Sequence, residues 1–100
     1  MFIQTEETPN PSTMKFIPGI EVMGDSGKTI YFKDHAESKN SPLAMSLFDI
    51  EGVSGVFLGS DFLTITIENK EWKNIKPSLL GVIMNHFVSE KPILINDEPE

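Results

Sequence analysis

A chain of 100 residues with 15 acidic and 8 basic side chains, a formal charge of −7 and no cysteine is long enough for one domain around one small core. The charge balance excludes phosphate-backbone binding, which needs clustered lysine and arginine, so no nucleic-acid partner is expected. Without cysteine the chain forms no disulfide and offers iron, zinc or an iron–sulfur cluster no thiolate ligand. The start, MFIQTEETP, lacks the basic and apolar regions of a secretory signal and the arginines of a transit peptide, and no apolar run approaches the ~20 residues that span a bilayer. A soluble, cytoplasmic chain with no membrane partner is expected.

In chain order, MFIQT begins with aromatic and β-branched residues and reads as a strand. Thr8 and Asn10 each precede a proline, which disfavours helical backbone, and neither Pro9 nor Pro11 can donate to a ladder. Residues 8–12 are therefore predicted to be a rigid turn leading to a second strand, TMKFI, where Met14 and Phe16 alternate with Thr13, Lys15 and Ile17. Glu6 and Glu7 flank the turn and should be solvated. After Pro18-Gly19, IEVM reads as a short extended piece, GDSG as a turn, KTIYFK as a strand and DHAESKN as a polar connector.

Ser41-Pro42 has the form of an N-cap followed by proline at the first helical position, and PLAMSLFDI sets Leu43, Leu47 and Ile50 on one helical face, with Gly52 as the stop. GVSGVFLGSDFLTITIEN is the clearest hairpin: Val56 and Leu58 alternate with Phe57, and Leu63, Ile65 and Ile67 alternate with Phe62, Thr64 and Thr66. EWKNIKPSLLGVIMNHFVSE reads as a second helix capped by Asn74, with Pro77 in its first turn. Ile75, Leu79, Val82, Ile83 and Phe87 form its apolar arc, extended by Leu80 and Met84. From Pro92 the tail is first apolar, fit to add an edge strand or pack on the helix, and then acidic and unstructured. The predicted architecture is α+β: a mainly antiparallel sheet of four to five strands with two helices packed on one face.

Chemistry-bearing groups are few. His86 falls inside the apolar arc and reads as a core-edge residue with one nitrogen satisfied. His35 has Asp34 and Glu37 nearby, and a carboxylate beside an imidazole can support general-base chemistry, but a solvated loop is the plainer reading. No G-x-S-x-G or H-E-x-x-H is present, the glycines of GVSGVFLGS bracket a strand, and the paired acids Glu6/Glu7 and Asp97/Glu98 lack calcium-loop spacing. Trp72 is expected to staple the start of the second helix to the core. No catalytic residue, metal ligand or cofactor-binding residue emerges, and no enzyme is expected.

Read together, QTEETPNPSTMKFIPG, SPLAMSLFDIEGVSGVFLGSDFLTIT and WKNIKPSLLGVIMNHF carry the joined pattern T-x-x-T-P-N-P, S-P-L-A, G-V-x-x-V-F-x-G-x-D-F and K-P. This pattern resembles the N-terminal domain of the Nfu family, the NifU-like scaffolds of iron–sulfur cluster biogenesis, over residues 1–92. Residues 93–100 would begin an acidic linker. The resemblance implies a following domain in which C-x-x-C motifs, one per subunit, hold a bridging cluster. It implies for this chain an accessory, interacting role toward cluster donors or recipient proteins, with the cluster held elsewhere. It carries over no ligand or catalyst. Its matched residues Pro9, Asn10, Pro11, Gly59, Asp61 and Phe62 read first as turn geometry. With Glu6 and Glu7, the residues Pro9, Asn10, Pro11, Asp61 and Phe62 form the candidate partner-binding surface. Two other readings stand beside this one: a stand-alone protein-binding domain without cluster chemistry, and a small hydrolase or metal enzyme using His35 or His86. Nothing in the sequence fixes an oligomeric state.

Overall fold

In this computed structural model, residues 2–24 and 28–94 are described. The sheet starts with a hairpin. β1 (Gln4–Glu7) pairs antiparallel with β2 (Thr13–Ile17), from Gln4↔Ile17 to Glu7↔Met14. β1 begins later than the run MFIQT suggests, because the next pairing beyond Ile17 would fall on Pro18, which has no N–H to give. β3 (Ile30–Phe32), β4 (Val53–Leu58) and β5 (Leu63–Ile67) complete an antiparallel sheet of order β1-β2-β5-β4-β3. β1 and β3 are its edges.

Strand alternation sends Met14, Phe16, Phe32, Val56, Leu58, Leu63, Ile65 and Ile67 to one face, where all are buried. Helices α1 (Pro42–Phe48) and α2 (Trp72–Val88) cover that face with Leu43, Leu47, Ile75, Leu79 and Ile83. Each fully buried leucine or isoleucine contributes about 1.5–3 kcal/mol, so this layer holds the domain together. The opposite face stays open. Its cross-strand row runs Glu6, Lys15, Thr64, Phe57, Tyr31.

α1 starts as its sequence predicts: the Ala44 N–H donates to the Ser41 hydroxyl oxygen at 3.2 Å, and Pro42 opens the helix. α2 does not. Its N-cap is Glu71, which makes no side-chain cap bond, and Pro77 lies inside the helix rather than in its first turn. Pro77 deprives the Lys73 carbonyl of its usual donor, but both residues are exposed and water can solvate that oxygen. On the inner side Trp72 and Ile75 pack on the core and hold the extra turn in place.

IEVM also differs from expectation. Instead of an extended piece it is a bent strap: the N–H groups of Val22, Met23 and Gly24 converge on the Ser60 carbonyl at 2.8, 3.1 and 3.0 Å. The polar connector contains a 3-10 turn, His35–Ser38, capped by Asp34, whose carboxylate accepts from the Glu37 N–H at 2.9 Å. After α2, Ile93 and Leu94 pack against the core without forming a strand. The expected GDSG turn beyond Gly24 and the acidic tail over residues 95–100 lie outside the described residues.

Candidate functional site

The proline loop is built from its own side chains. The Thr8 hydroxyl oxygen lies 2.9 Å from both the Asn10 and Thr13 carbonyl oxygens, which share its single proton, and it accepts from the Asn10 N–H at 3.2 Å. The Asn10 side-chain oxygen accepts from the Ser12 N–H at 2.9 Å. Asx- and ST-type bonds of this kind fix a turn locally. One long-range bond then ties the loop to α2: the indole N–H of Trp72 donates to the Pro11 carbonyl at 2.9 Å. The same ring meets Phe16, with centroids 6.3 Å apart and tilted by 53°.

Between loop and helix lies a cleft of about 400 Å³. Pro9, Pro11, Met14 and Trp72 give it apolar walls, and Glu7, Thr8 and Thr13 supply polar groups. A second depression of about 430 Å³ lies along Phe2 to Glu6, the run that enters β1. Phe2 itself is 77% exposed.

The candidate surface residues do not form one patch. Period-2 alternation divides Glu6 from Glu7: Glu7 pairs with buried Met14 and lines the cleft, while Glu6 pairs with Lys15 on the open face. Asp61 and Phe62 sit at the turn between β4 and β5, beyond the Phe16↔Leu63 pair, so the length of β2, ~14 Å at 3.4 Å per residue, separates them from the proline loop. Phe62 is fixed there by Phe57, at a centroid distance of 5.9 Å, and by the Lys15 ammonium 4.6 Å above its ring. Of the residues that sequence reasoning grouped, Glu7, Pro9 and Pro11 line one cleft, and Asn10 braces the loop beside it. It missed Thr8, Thr13, Met14 and Lys15 as site neighbours, and it gave Trp72 only a packing role. The Thr-Pro-Asn order carries the signal for the loop's internal bonds; nothing local signals a partner 61 residues away.

The histidines stay apart from this region. His35 meets Asp49 at 3.3 Å, not the neighbouring acids of its own turn, and both side chains are exposed. His86 is 4% exposed, and its Nε2 has no hydrogen-bond partner among the described residues. Burial holds its imidazole below the usual range; the nearby Lys91 charge adds to this, and a hydrogen bond with the Lys91 backbone opposes it. Among the described residues no three His, Cys, Asp or Glu side chains are gathered as a metal would require. With no cysteine in the sequence, these residues do not fit an iron–sulfur cluster. No helix among the described residues is long and apolar enough to cross a membrane.

Comparison with known proteins places this geometry. Residues 3–90 match the family described as "Scaffold protein Nfu/NifU N terminal". A Drosophila sechellia protein named "NFU1 iron-sulfur cluster scaffold homolog, mitochondrial" is 49% identical over 100 residues, covering 99% of this chain and 35% of the relative. The chain thus spans about a third of the length of the curated relatives it matches. Among solved structures, a NifU-like protein from Saccharomyces cerevisiae superposes with a TM-score of 0.83 at 27% identity, covering 97% of this chain and 86% of that one. A Staphylococcus aureus protein at 24% identity shares the fold, with a TM-score of 0.71 over 83% of this chain and 99% of that one. The chain belongs to the family of Nfu/NifU scaffold N-terminal domains.

Proposed function

We propose that this domain makes protein contacts during iron–sulfur cluster assembly and delivery, without catalysing a reaction and without holding the cluster. The observation that carries this reading is the donor set: a scaffold-family domain whose 100 residues include no cysteine cannot supply the thiolates by which such clusters are held. The cleft beside Trp72 supports it, because most of the proline motif converges there on a concave, partly apolar surface. Cluster donors and recipient proteins are the partners this role implies, and residues 93–100, the expected acidic linker, would lead toward the cluster-holding part. Cytoplasmic residence is proposed from composition beside the mitochondrial designation of the Drosophila relatives, and fractionation of cells expressing the full gene product separates the two.

The test uses the Drosophila sechellia relative loaded with cluster. Removing the third of it that aligns with this chain should slow delivery to a recipient apo-protein and leave the cluster content unchanged. Replacing that third with this chain should restore the rate. A cluster content that falls on removal, or a delivery rate indifferent to it, contradicts the reading.

A further inference from the structure

Among the described residues β1 is an edge strand, hydrogen-bonded to β2 on one side only, and its other side presents backbone donors and acceptors outward. It leads directly into the cleft: the depression along Phe2 to Glu6 and the cleft lined by Glu7 and Trp72 share this one strand. An extended segment laid beside β1 would run from Phe2 to the indole of Trp72, ~20 Å or about six residues.

We propose that this edge and the cleft at its end take an extended segment of a partner protein that carries a bulky apolar side chain beside lysine or arginine. The inference rests on the interaction role proposed above and names its site and chemistry. Main-chain pairing with β1 would supply the affinity, and the cleft would supply the selectivity. Pro9, Pro11, Met14 and Trp72 form an apolar wall suited to one large side chain, and the bonds within the loop hold that wall in place before binding.

Charge selects the neighbouring residue. Glu6 and Glu7 take no part in the ion pairs Lys33–Glu37, His35–Asp49, Lys70–Glu51 and Lys73–Glu71. They point to opposite faces of β1: Glu6 stands across from Lys15 on the open face, whereas Glu7 stands across from Met14 and lines the cleft, so a paired strand meets the stronger acidic field when its basic residue takes the cleft face. A second copy of this chain fits poorly, since edge-to-edge pairing would double the carboxylates along one short strand.

A random heptapeptide display library selected against this chain tests the proposal, with the bound peptides located by backbone and indole amide shifts. Selected peptides should place lysine or arginine beside a large apolar residue and shift Gln4–Glu7, the proline loop and the Trp72 indole. Glu7→Lys should weaken the best peptide tenfold or more, and Glu7→Gln should weaken it less. Asp61→Lys, the same charge change at the far end of the sheet, should leave binding intact. Failure to select any peptide, peptides without basic residues, shifts centred on Tyr31 and Phe57, or equal effects of Glu7→Lys and Asp61→Lys would each overturn it. If delivery still depends on the domain while these results go against the cleft, only this inference falls. If delivery ignores the domain, the functional reading falls whatever the peptides do.

Discussion

Trp72 and Pro11 are 61 residues apart in the chain, and the indole N–H of the first donates to the carbonyl of the second at 2.9 Å. That bond holds the proline loop to the start of α2 and sets the width of the cleft between them. Trp72→Phe keeps an aromatic ring against Phe16 but removes the donor. It should lower stability by about 0.5–1.5 kcal/mol, the usual net value of one hydrogen bond. Urea unfolding followed by circular dichroism checks this, and Trp72→Ala, which also strips the packing, should cost more.

The loop should depend on its own side chains as well as on its prolines. Pro9→Ala and Pro11→Ala release backbone freedom in the unfolded chain and should each cost about 0.4–1 kcal/mol. Asn10→Ala removes the acceptor of the Ser12 N–H and should cost about 1 kcal/mol. Urea midpoints of the three variants give the comparison. Stability unchanged by all three, with peptide binding lost, would make the loop a recognition element without a folding role.

His86 should make stability depend on pH. Burial favours its neutral form, so its folded pKa lies below the unfolded value of 6.5. Between the two values the unfolded chain binds more protons, so the contribution is fully present above pH 6.5 and is lost as pH falls through the folded pKa. His86→Leu removes the titrating group and its unpartnered Nε2. The variant should gain on the wild type as pH drops from 7 to 5, with His35 common to both. Parallel stability curves would show that His86 carries no such linkage.

Gly59 lies under Phe62, and a Cβ at this position would come within 2.5 Å of two ring atoms. Gly59→Ala should therefore push the ring away from Phe57 and the Lys15 ammonium, at a cost near the lower end of about 1–3 kcal/mol, since the ring's far edge can swing outward. In a double-mutant cycle with Phe62→Ala, the penalty of Gly59→Ala should shrink. An unchanged penalty would place the strain in the backbone.

The sheet core was legible because burial of one face imposes a period of two. Met14 with Phe16, and Leu63 with Ile65 and Ile67, announce their face in the sequence itself. α1 was legible from Ser41-Pro42, whose capping chemistry is local. The start of α2 was not, because Pro77 argues locally for a later start while the packing of Trp72 and Ile75 decides the matter from a distance. The strap at Val22–Gly24 depends likewise on a carbonyl at Ser60. As for the site, Thr8 and Asn10 signal an ordered loop, but the cleft exists only once Trp72 reaches Pro11. The opposite orientations of Glu6 and Glu7 follow from alternation only when both are placed inside β1, which the run MFIQT alone does not do.

The division of labour, contacts here and cluster elsewhere, is tested most directly by reconstitution. This chain, purified and incubated anaerobically with iron and sulfide and then passed through gel filtration, should emerge colourless, because it has no thiolate to hold a cluster. A stoichiometric visible chromophore that co-elutes with the protein would contradict the account.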